Sequence, residues 1–321
     1  MRALVTGGAG FVGSHLCEAL LEAGHRVTAL DDLSTGSEEN VAHLLGRDDF
    51  RLATGSLFDP ELVAHLVAEA EAVFHLAAAV GVRLILDDPV RTMTTNVHGT
   101  EIVLRAAVIR KIPVLLTSSS EVYGKSRDIP FGENDDILLG PTSRSRWCYA
   151  CSKAVDEFLA LAHHRRHGLP VVVARLFNIV GPRQSGRYGM VLPTFVRQAL
   201  DGGPITVYGD GSQIRTFLHV REAVDALIRL LETPEAHGRV VNVGHPRPMT
   251  VLELARVVRR LVNPDASIEN VPYERVYGEG FEDIAARAPE TNLARELIGF
   301  EPRIGIESII EDVAAWMRSG G

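Results

Sequence analysis

Arg2-Ala3-Leu4-Val5-Thr6-Gly7-Gly8-Ala9-Gly10-Phe11-Val12-Gly13 is the stretch whose reading decides the fold. A short apolar run ends at glycines spaced Gly-x-x-Gly-x-x-Gly. A helical pattern then runs from Ser14 to Ala23, with Gly24 as its stop. Glycines between a buried strand and a helix N-terminus are the setting in which backbone N–H groups and the helix dipole hold a pyrophosphate. Gly7 permits the tight turn, Gly10 lets the backbone approach the phosphates, and Gly13 lets helix and strand pack closely. The spacing departs from the commoner Gly-x-Gly-x-x-Gly of two-domain dehydrogenases. A second strand, Arg26 to Leu30, ends in Asp31-Asp32, and a carboxylate there takes ribose hydroxyls and repels a 2′-phosphate. The next residues are Leu33-Ser34-Thr35-Gly36, with no arginine or lysine, so the reading favours NAD over NADP.

Working outward, Phe50 to Ala53, Ala72 to Leu76, Ile112 to Thr117 and Val171 to Leu176 read as further strands. Pro60 to Glu69 reads as a helix with Asp59 as N-cap, and Asp88-Pro89 opens another that carries Asn96 and reaches about Arg110. Strands alternating with helices imply an α/β fold, a doubly wound parallel (Rossmann) sheet. Beyond Asn178 the pattern changes to short helices, strands and loops, as in a smaller C-terminal α/β substrate domain. We therefore expect a dinucleotide domain over residues 1–177, rejoined by 217–243, and a substrate domain over 178–321. His75 ends a buried strand and reads as structural. No His/Cys/Asp cluster has metal-ligand spacing.

The 321 residues carry 29 glycines, 46% hydrophobic and 6% aromatic residues, a balance that suits a globular α/β enzyme. A net charge of −8 argues against nucleic acid as a partner. No apolar run is long enough to span a membrane, and the glycine loop starts too early for a leader, so a cytoplasmic protein is expected. Cys17, Cys148 and Cys151 are too few for a disulfide framework. Tyr149 lies inside Cys148-x-x-Cys151, which reads as packing beside an active site.

Tyr149 and Lys153 stand four apart at the start of an amphipathic helical pattern, which stacks phenol and ammonium on one face. A tyrosine with a pKa near ~10 is a poor base, and a neighbouring ammonium is expected to lower it toward a useful range. At the end of the fifth strand, Ser118-Ser119-Ser120-Glu121 is placed to face a ligand, because doubly wound sheets bind at the carboxyl ends of their strands.

With these motifs stand His75-Leu76-Ala77-Ala78, Asn96-Val97-His98-Gly99-Thr100, Arg175-Leu176-Phe177-Asn178, Gly181-Pro182, Tyr208 to Arg215 and Asn242-Val243-Gly244. Together, and in this order, they resemble the extended short-chain dehydrogenase/reductases of the nucleotide-sugar epimerase, dehydratase and decarboxylase group. The resemblance covers nearly the whole chain. It implies a catalytic set of Ser119, Tyr149 and Lys153, joined by Ser120 and Glu121. It implies NAD held by Gly7, Gly10, Phe11, Val12, Gly13, Asp31, Asp32, Ser34 and Gly36, by Ser56, Leu57, Leu76, Ala77, Ala78 and Asn96, and by Tyr149 and Lys153. Many relatives carry Gly-Asp where Gly55-Ser56 stands here, which removes a charge from adenine recognition. The residues matching Asn178, Val191, Thr206, Tyr208, Arg215 and Arg287 hold the nucleotide diphosphate, in a UDP-sugar, and the family implies a homodimer.

Such enzymes oxidise C4 of the sugar transiently, and three fates then diverge. Ser120-Glu121 keeps the acidic residue that 4,6-dehydratases use as base at C5, and lacks their aspartic acid. The sequence reading is therefore a UDP-hexose or hexosamine dehydratase of 5,6- or 4,6-type, with the UDP-N-acetylglucosamine 5,6-dehydratases of tunicamycin-type antibiotic pathways as the specific comparison. The alternatives are a UDP-glucuronate decarboxylase, whose relatives also carry Ser-Glu, and a 4-epimerase. A non-enzymatic NAD-binding protein is the remotest, since both Tyr149 and Lys153 are present.

Overall fold

In a computed structural model, which describes residues 1–126, 128–186, 189–277 and 282–320, the chain builds a seven-stranded parallel sheet. Its order from edge to edge is Val240–Val243, Val171–Leu176, Val114–Ser119, Ala72–His75, Arg2–Thr6, Arg26–Asp31, Phe50–Thr54. The strand order reverses beside Arg2–Thr6, where the chain leaves for Arg26–Asp31 on one side and Ala72–His75 on the other. Ligands of doubly wound sheets bind at such a switch point.

The central strands are apolar on both faces, as strands covered by helices must be: Leu4, Val5, Val73, Phe74, Leu115, Leu116, Val172 and Val173 are all fully buried. Each such side chain stabilises the fold by about 1.5–3 kcal/mol relative to exposure. The helix after the glycine loop, Phe11–Glu22, packs on one face with Val220–Glu232, while Pro60–Glu69 and Pro89–Arg110 cover the other. Local chemistry sets the helix ends. Asp59 and Asp88 each accept a backbone N–H at an N-terminus opened by proline, and Gly168 ends Cys148–His167 in the left-handed region.

The fifth strand starts two residues later than its apolar run suggests, because Pro113 has no N–H to give to a ladder. As a result Ser118 and Ser119 belong to the strand, paired with Arg175 and Leu176, rather than to a turn.

A second apolar cluster gathers residues beyond Asn178. Leu192, Phe195 and Val196 meet Ile205, Val207, Leu254, Val258, Ile309, Ile310 and Val313. The chain visits it more than once. Between visits, Val220–Glu232 and Val240–Val243 return to the large sheet, and later so does the helix Asn292–Ile298. No helix among the described residues is long and apolar enough to cross a membrane.

Candidate active site

A cavity of about 590 Å³ opens at the carboxyl ends of the sheet strands, between the two apolar clusters. Phe11, Val12, Leu76, Ala78, Ser119, Ser120, Glu121, Tyr149 and Lys153 line its sheet side. Asn178, Val191, Thr206, Tyr208, Arg215 and Arg287 line the other.

At one end lies the glycine loop. Gly7 has a φ of +72°, and a Cβ on it would come within 2.8 Å of the Ala77 nitrogen. A Cβ on Gly10 would approach the Gly7 carbonyl oxygen to 3.1 Å, and one on Gly13 to 2.0 Å. Only glycine fits this packing, and it leaves the first N–H groups of Phe11–Glu22 free of helical partners. Asp31 builds the loop from below, its Oδ2 accepting the Ala9 N–H and its Oδ1 the Leu33 N–H, both at 2.9 Å. Burial pushes its carboxyl up, against the lowering effect of those two N–H groups. Each oxygen retains a lone pair for a ribose hydroxyl. A Cβ on Gly36 would lie 3.0 Å from Asp31 Oδ1, so Gly36 keeps that edge open. Asp32 is exposed and takes the Ser34 N–H. A phosphate cradle made of backbone and a ribose-binding carboxylate suit NAD.

Other expected cofactor residues lie behind this wall. Asn96 is fully buried, its Oδ1 accepting the Ala79 N–H at 2.8 Å and its Nδ2 donating to Ser152 Oγ at 2.9 Å. It ties the loop after the fourth strand to the tyrosine helix. The Ser56 hydroxyl accepts the Phe58 N–H, and Leu57 packs where a Cβ on Gly99 would reach to 2.9 Å. The Ala77 N–H donates to Thr6 Oγ1.

At the centre, Tyr149 and Lys153 project from Cys148–His167, both buried. The Ser119 side chain is near enough to the Tyr149 phenol to favour its ionised form. The expectation that Lys153 dominates the phenol's acidity needs correction. Burial pushes the Tyr149 phenol up, the Glu121 carboxylate adds to this, and the Ser119 side chain opposes it. The Lys153 Nζ instead donates to the Thr117 carbonyl at 3.1 Å and to Asp156 at 3.3 Å.

Glu121, expected as a base at C5, stands among cations. Its carboxylate is buried, bound by Arg146 through Nη1 at 2.6 Å and Nη2 at 3.2 Å, and by Arg287 Nη1 at 3.3 Å. Burial alone would raise its pKa, but Arg146 and Arg287 more than offset that and hold it at about 2. A base at C5 needs a pKa near the working pH, and a carboxylate in two guanidinium grips has little appetite for a proton. Arg287 is itself lowered to about 10, by burial and then by Arg215, and stays cationic at neutral pH. Arg215 pairs with both oxygens of Asp283 at 3.2 Å, and the Tyr273 hydroxyl donates to the same carboxylate. Several buried polar atoms on the cavity wall, Ser120 Oγ, Arg287 Nε, Gln184 Oε1 and Gln213 Oε1 among them, have no hydrogen-bond partner among the described residues, as befits a wall that meets a polar ligand.

Arg146, Asp283 and Tyr273 escaped the sequence reading. Arg146 had a weak signal, a basic residue three before Tyr149. Asp283 had none, since its partner stands 68 positions away. No group of described residues could hold a metal ion.

Residues 3–244 match the profile of the NAD dependent epimerase/dehydratase family. Over 99% of its length the chain is 39% identical to a UDP-N-acetyl-alpha-D-glucosaminuronate decarboxylase of Bacillus cytotoxicus, covering 98% of it. It is 38% identical to UDP-glucuronic acid decarboxylase 1 of Arabidopsis thaliana, over 95% of this chain and 67% of that one. Among solved structures, a UDP-glucuronic acid 4-epimerase from Bacillus cereus, in complex with UDP-glucuronic acid and NAD, superposes with a TM-score of 0.88. That pair shares 26% identity, with all of both chains covered. A glycine cradle, a Tyr149-x-x-x-Lys153 helix and relatives along the entire length lead to one conclusion: this chain belongs to the NAD dependent epimerase/dehydratase family of nucleotide-sugar enzymes.

Proposed function

We propose that the protein is an NAD-dependent decarboxylase of a UDP-uronate. The observation that carries this is the Glu121 carboxylate clamped between Arg146 and Arg287 on the cavity wall. The clamp takes away the C5 base that a dehydratase needs and sets two guanidinium groups near Tyr149, where a sugar carboxylate would lie. Decarboxylases among the relatives support the same reading over the dehydratase.

Bound NAD supplies a pyridinium cation and an acceptor for the C4 hydride, so that the sugar passes through a ketone with its carboxylate in the β position. Gly7, Gly10 and Gly13 would hold its phosphates on the helix N-terminus and Asp31 its adenosine ribose. Lys153 would reach its other ribose. Tyr149 takes the proton of the C4 hydroxyl and keeps it against Ser119. A β-keto carboxylate then loses carbon dioxide without any base, because the C5–C6 bonding pair flows into the ketone; C5 then takes a proton, and C4 regains its hydride as Tyr149 returns the proton to the C4 oxygen. Arg146 and Arg287 orient the leaving carboxylate. Glu121 already occupies much of their hydrogen-bonding edge, so they select a uronate without binding its charge too tightly for release. Residues of the second apolar cluster form the nucleotide-sugar domain in this reading. Arg215 holds the diphosphate with Thr206 and Asn178, Val191 borders the ligand, and Tyr208 packs on the uracil.

The test is mass spectrometry of products from UDP-glucuronate and UDP-N-acetylglucosaminuronate, beside UDP-glucose and UDP-N-acetylglucosamine. Loss of the mass of carbon dioxide from a uronate is expected. Loss of water from a neutral sugar restores the dehydratase, and an unchanged mass with C4 inverted makes the protein an epimerase.

A further inference from the structure

Beneath Lys153 lies a buried carboxylate that the reaction above does not use. Asp156 is wholly buried, one helical turn beyond Lys153, with its Oδ2 3.3 Å from the ammonium. Its Oδ1 has no partner among the described residues. A line of hydrogen bonds crosses the sheet to reach it. The Ala77 N–H donates to Thr6 Oγ1 at 3.3 Å, and Thr6 Oγ1 lies 2.7 Å from His75 Nδ1. His75 Nε2 lies 3.0 Å from Thr100 Oγ1, and the Thr100 hydroxyl is near enough to the Asp156 carboxylate to lower its pKa.

The direction of this line follows from its ends. Ala77 has only a donor to offer, and a carboxylate only acceptors. With its proton turned toward that carboxylate, Thr100 receives one from His75 Nε2, which leaves Nδ1 to accept from Thr6. Burial, with a smaller contribution from Lys153, lowers the His75 pKa to about 3, so the ring stays neutral and the direction holds at working pH. The line starts at the cavity wall, between Leu76 and Ala78, and ends under the lysine.

We propose that Asp156 is a positioning residue for proton transfer at Tyr149: oriented by the Thr6–His75–Thr100 line, it holds the Lys153 ammonium and sets how much of that positive charge the phenol feels. Three charged or titratable groups besides Lys153 bear on it. Glu157, its neighbour on the helix, is engaged by Arg175 and Ser118. His75 is neutral. Tyr149 faces the same space, and Asp156 is among the groups that push its phenol up. Burial raises Asp156 to about 6 despite the opposing pull of Lys153 and Thr100. As the pH rises through that value Asp156 gains its charge and shields Tyr149 from the ammonium. Below it, Asp156 no longer opposes Lys153 at the phenol, while the Glu121 carboxylate still does.

The inference rests on the Tyr149 proton relay alone, and holds for whichever fate follows C4 oxidation. The experiment is a titration of the NAD-loaded protein, following the phenolate absorbance that disappears in Tyr149→Phe. Asp156→Asn keeps the shape and removes the charge. It is expected to lower the Tyr149 midpoint by about one pH unit, and to move the acid limb of C4 oxidation down with it. Asp156→Ser removes the same charge with a smaller polar side chain and should lower the midpoint in the same direction. Should Asp156→Asn not fold, Asp156→Ser decides. A folded variant with normal NAD content and an unmoved midpoint would reduce Asp156 to a structural residue, and a midpoint that rose would reverse the sign. Neither result depends on which product forms, so the decarboxylase reading stands or falls separately.

Discussion

On the reading proposed here, the two ends of the cavity meet anions by different means. At the dinucleotide end the donors are backbone N–H groups of a helix start, set by glycines whose neighbours leave no room for a methyl group. At the sugar-nucleotide end they are arginine side chains, each already paired: Arg215 with Asp283, and Arg146 and Arg287 with Glu121. Backbone dipoles are fixed before a ligand arrives and need no partner removed. Paired guanidinium groups must exchange one anion for another, so part of the binding free energy is spent on displacement. The first arrangement suits a group that stays through many cycles, and the second a group that must leave after each.

The largest effect expected from this contrast is on acid stability, because the dinucleotide end is backed by the buried neutral His75 and the other by charged pairs. The pKa of His75 in the folded chain, about 3, lies below its unfolded value near ~6.5, so the unfolded chain binds the extra proton. The stability it contributes is whole above about pH 6.5 and falls as the pH drops, by about 3 kcal/mol near pH 4. Glu121, held at about 2, begins to cost stability only below its unfolded value near ~4.3. Denaturant unfolding at stepped pH should therefore show a slope from about pH 6 downward. A flat profile to about pH 4.5 would show that His75 does not carry the acid sensitivity.

Next in size is Arg215→Ala, expected to weaken nucleotide-sugar binding by roughly 2–4 kcal/mol, with NAD content unchanged. An unaltered Michaelis constant would remove Arg215 from the site. Gly13→Ala should do the reverse. Its methyl group would meet the Gly7 carbonyl at 2.0 Å and force the loop apart, costing roughly 1–3 kcal/mol in NAD binding. A normal NAD content after gel filtration would mean that the cradle yields more easily than its packing suggests. The smallest effect is the most specific. Asp283→Asn frees Arg215 from its acid while keeping an acceptor for Tyr273, and should lower the Michaelis constant by a few-fold, about 1 kcal/mol. If it rises instead, Asp283 belongs to the binding surface and not to a competing pair.

The same contrast explains what the sequence could tell. Gly7, Gly10, Gly13, Asp31, Tyr149 and Lys153 are spaced by local geometry, a turn, a strand end, one turn of helix, and such spacings are visible in a single chain. The pairs at the other end are long-range. Glu121 and Arg287 stand 166 positions apart, and only the tertiary fold brings them within 3.3 Å. Reading Glu121 without its arginines made it a base and favoured a dehydratase, where we now propose a decarboxylase. With them it is an anion that is already occupied. The acidity of Tyr149 was misjudged for a related reason: helical spacing places Lys153 beside it, but burial and the Glu121 carboxylate cannot be read from spacing.

The return of Val240–Val243 to the edge of the large sheet, followed by departure to the smaller cluster and a further return at Asn292–Ile298, has a consequence for anyone who would cut or recombine this chain. The two ends are stitched by several covalent crossings, not joined by one linker. A single protease nick should leave both halves associated until denaturant is added. Grafting the smaller-cluster half of a relative onto this sheet half would need a matched splice at every crossing, which makes point changes around Arg146 and Glu121 the shorter route to altering the cavity.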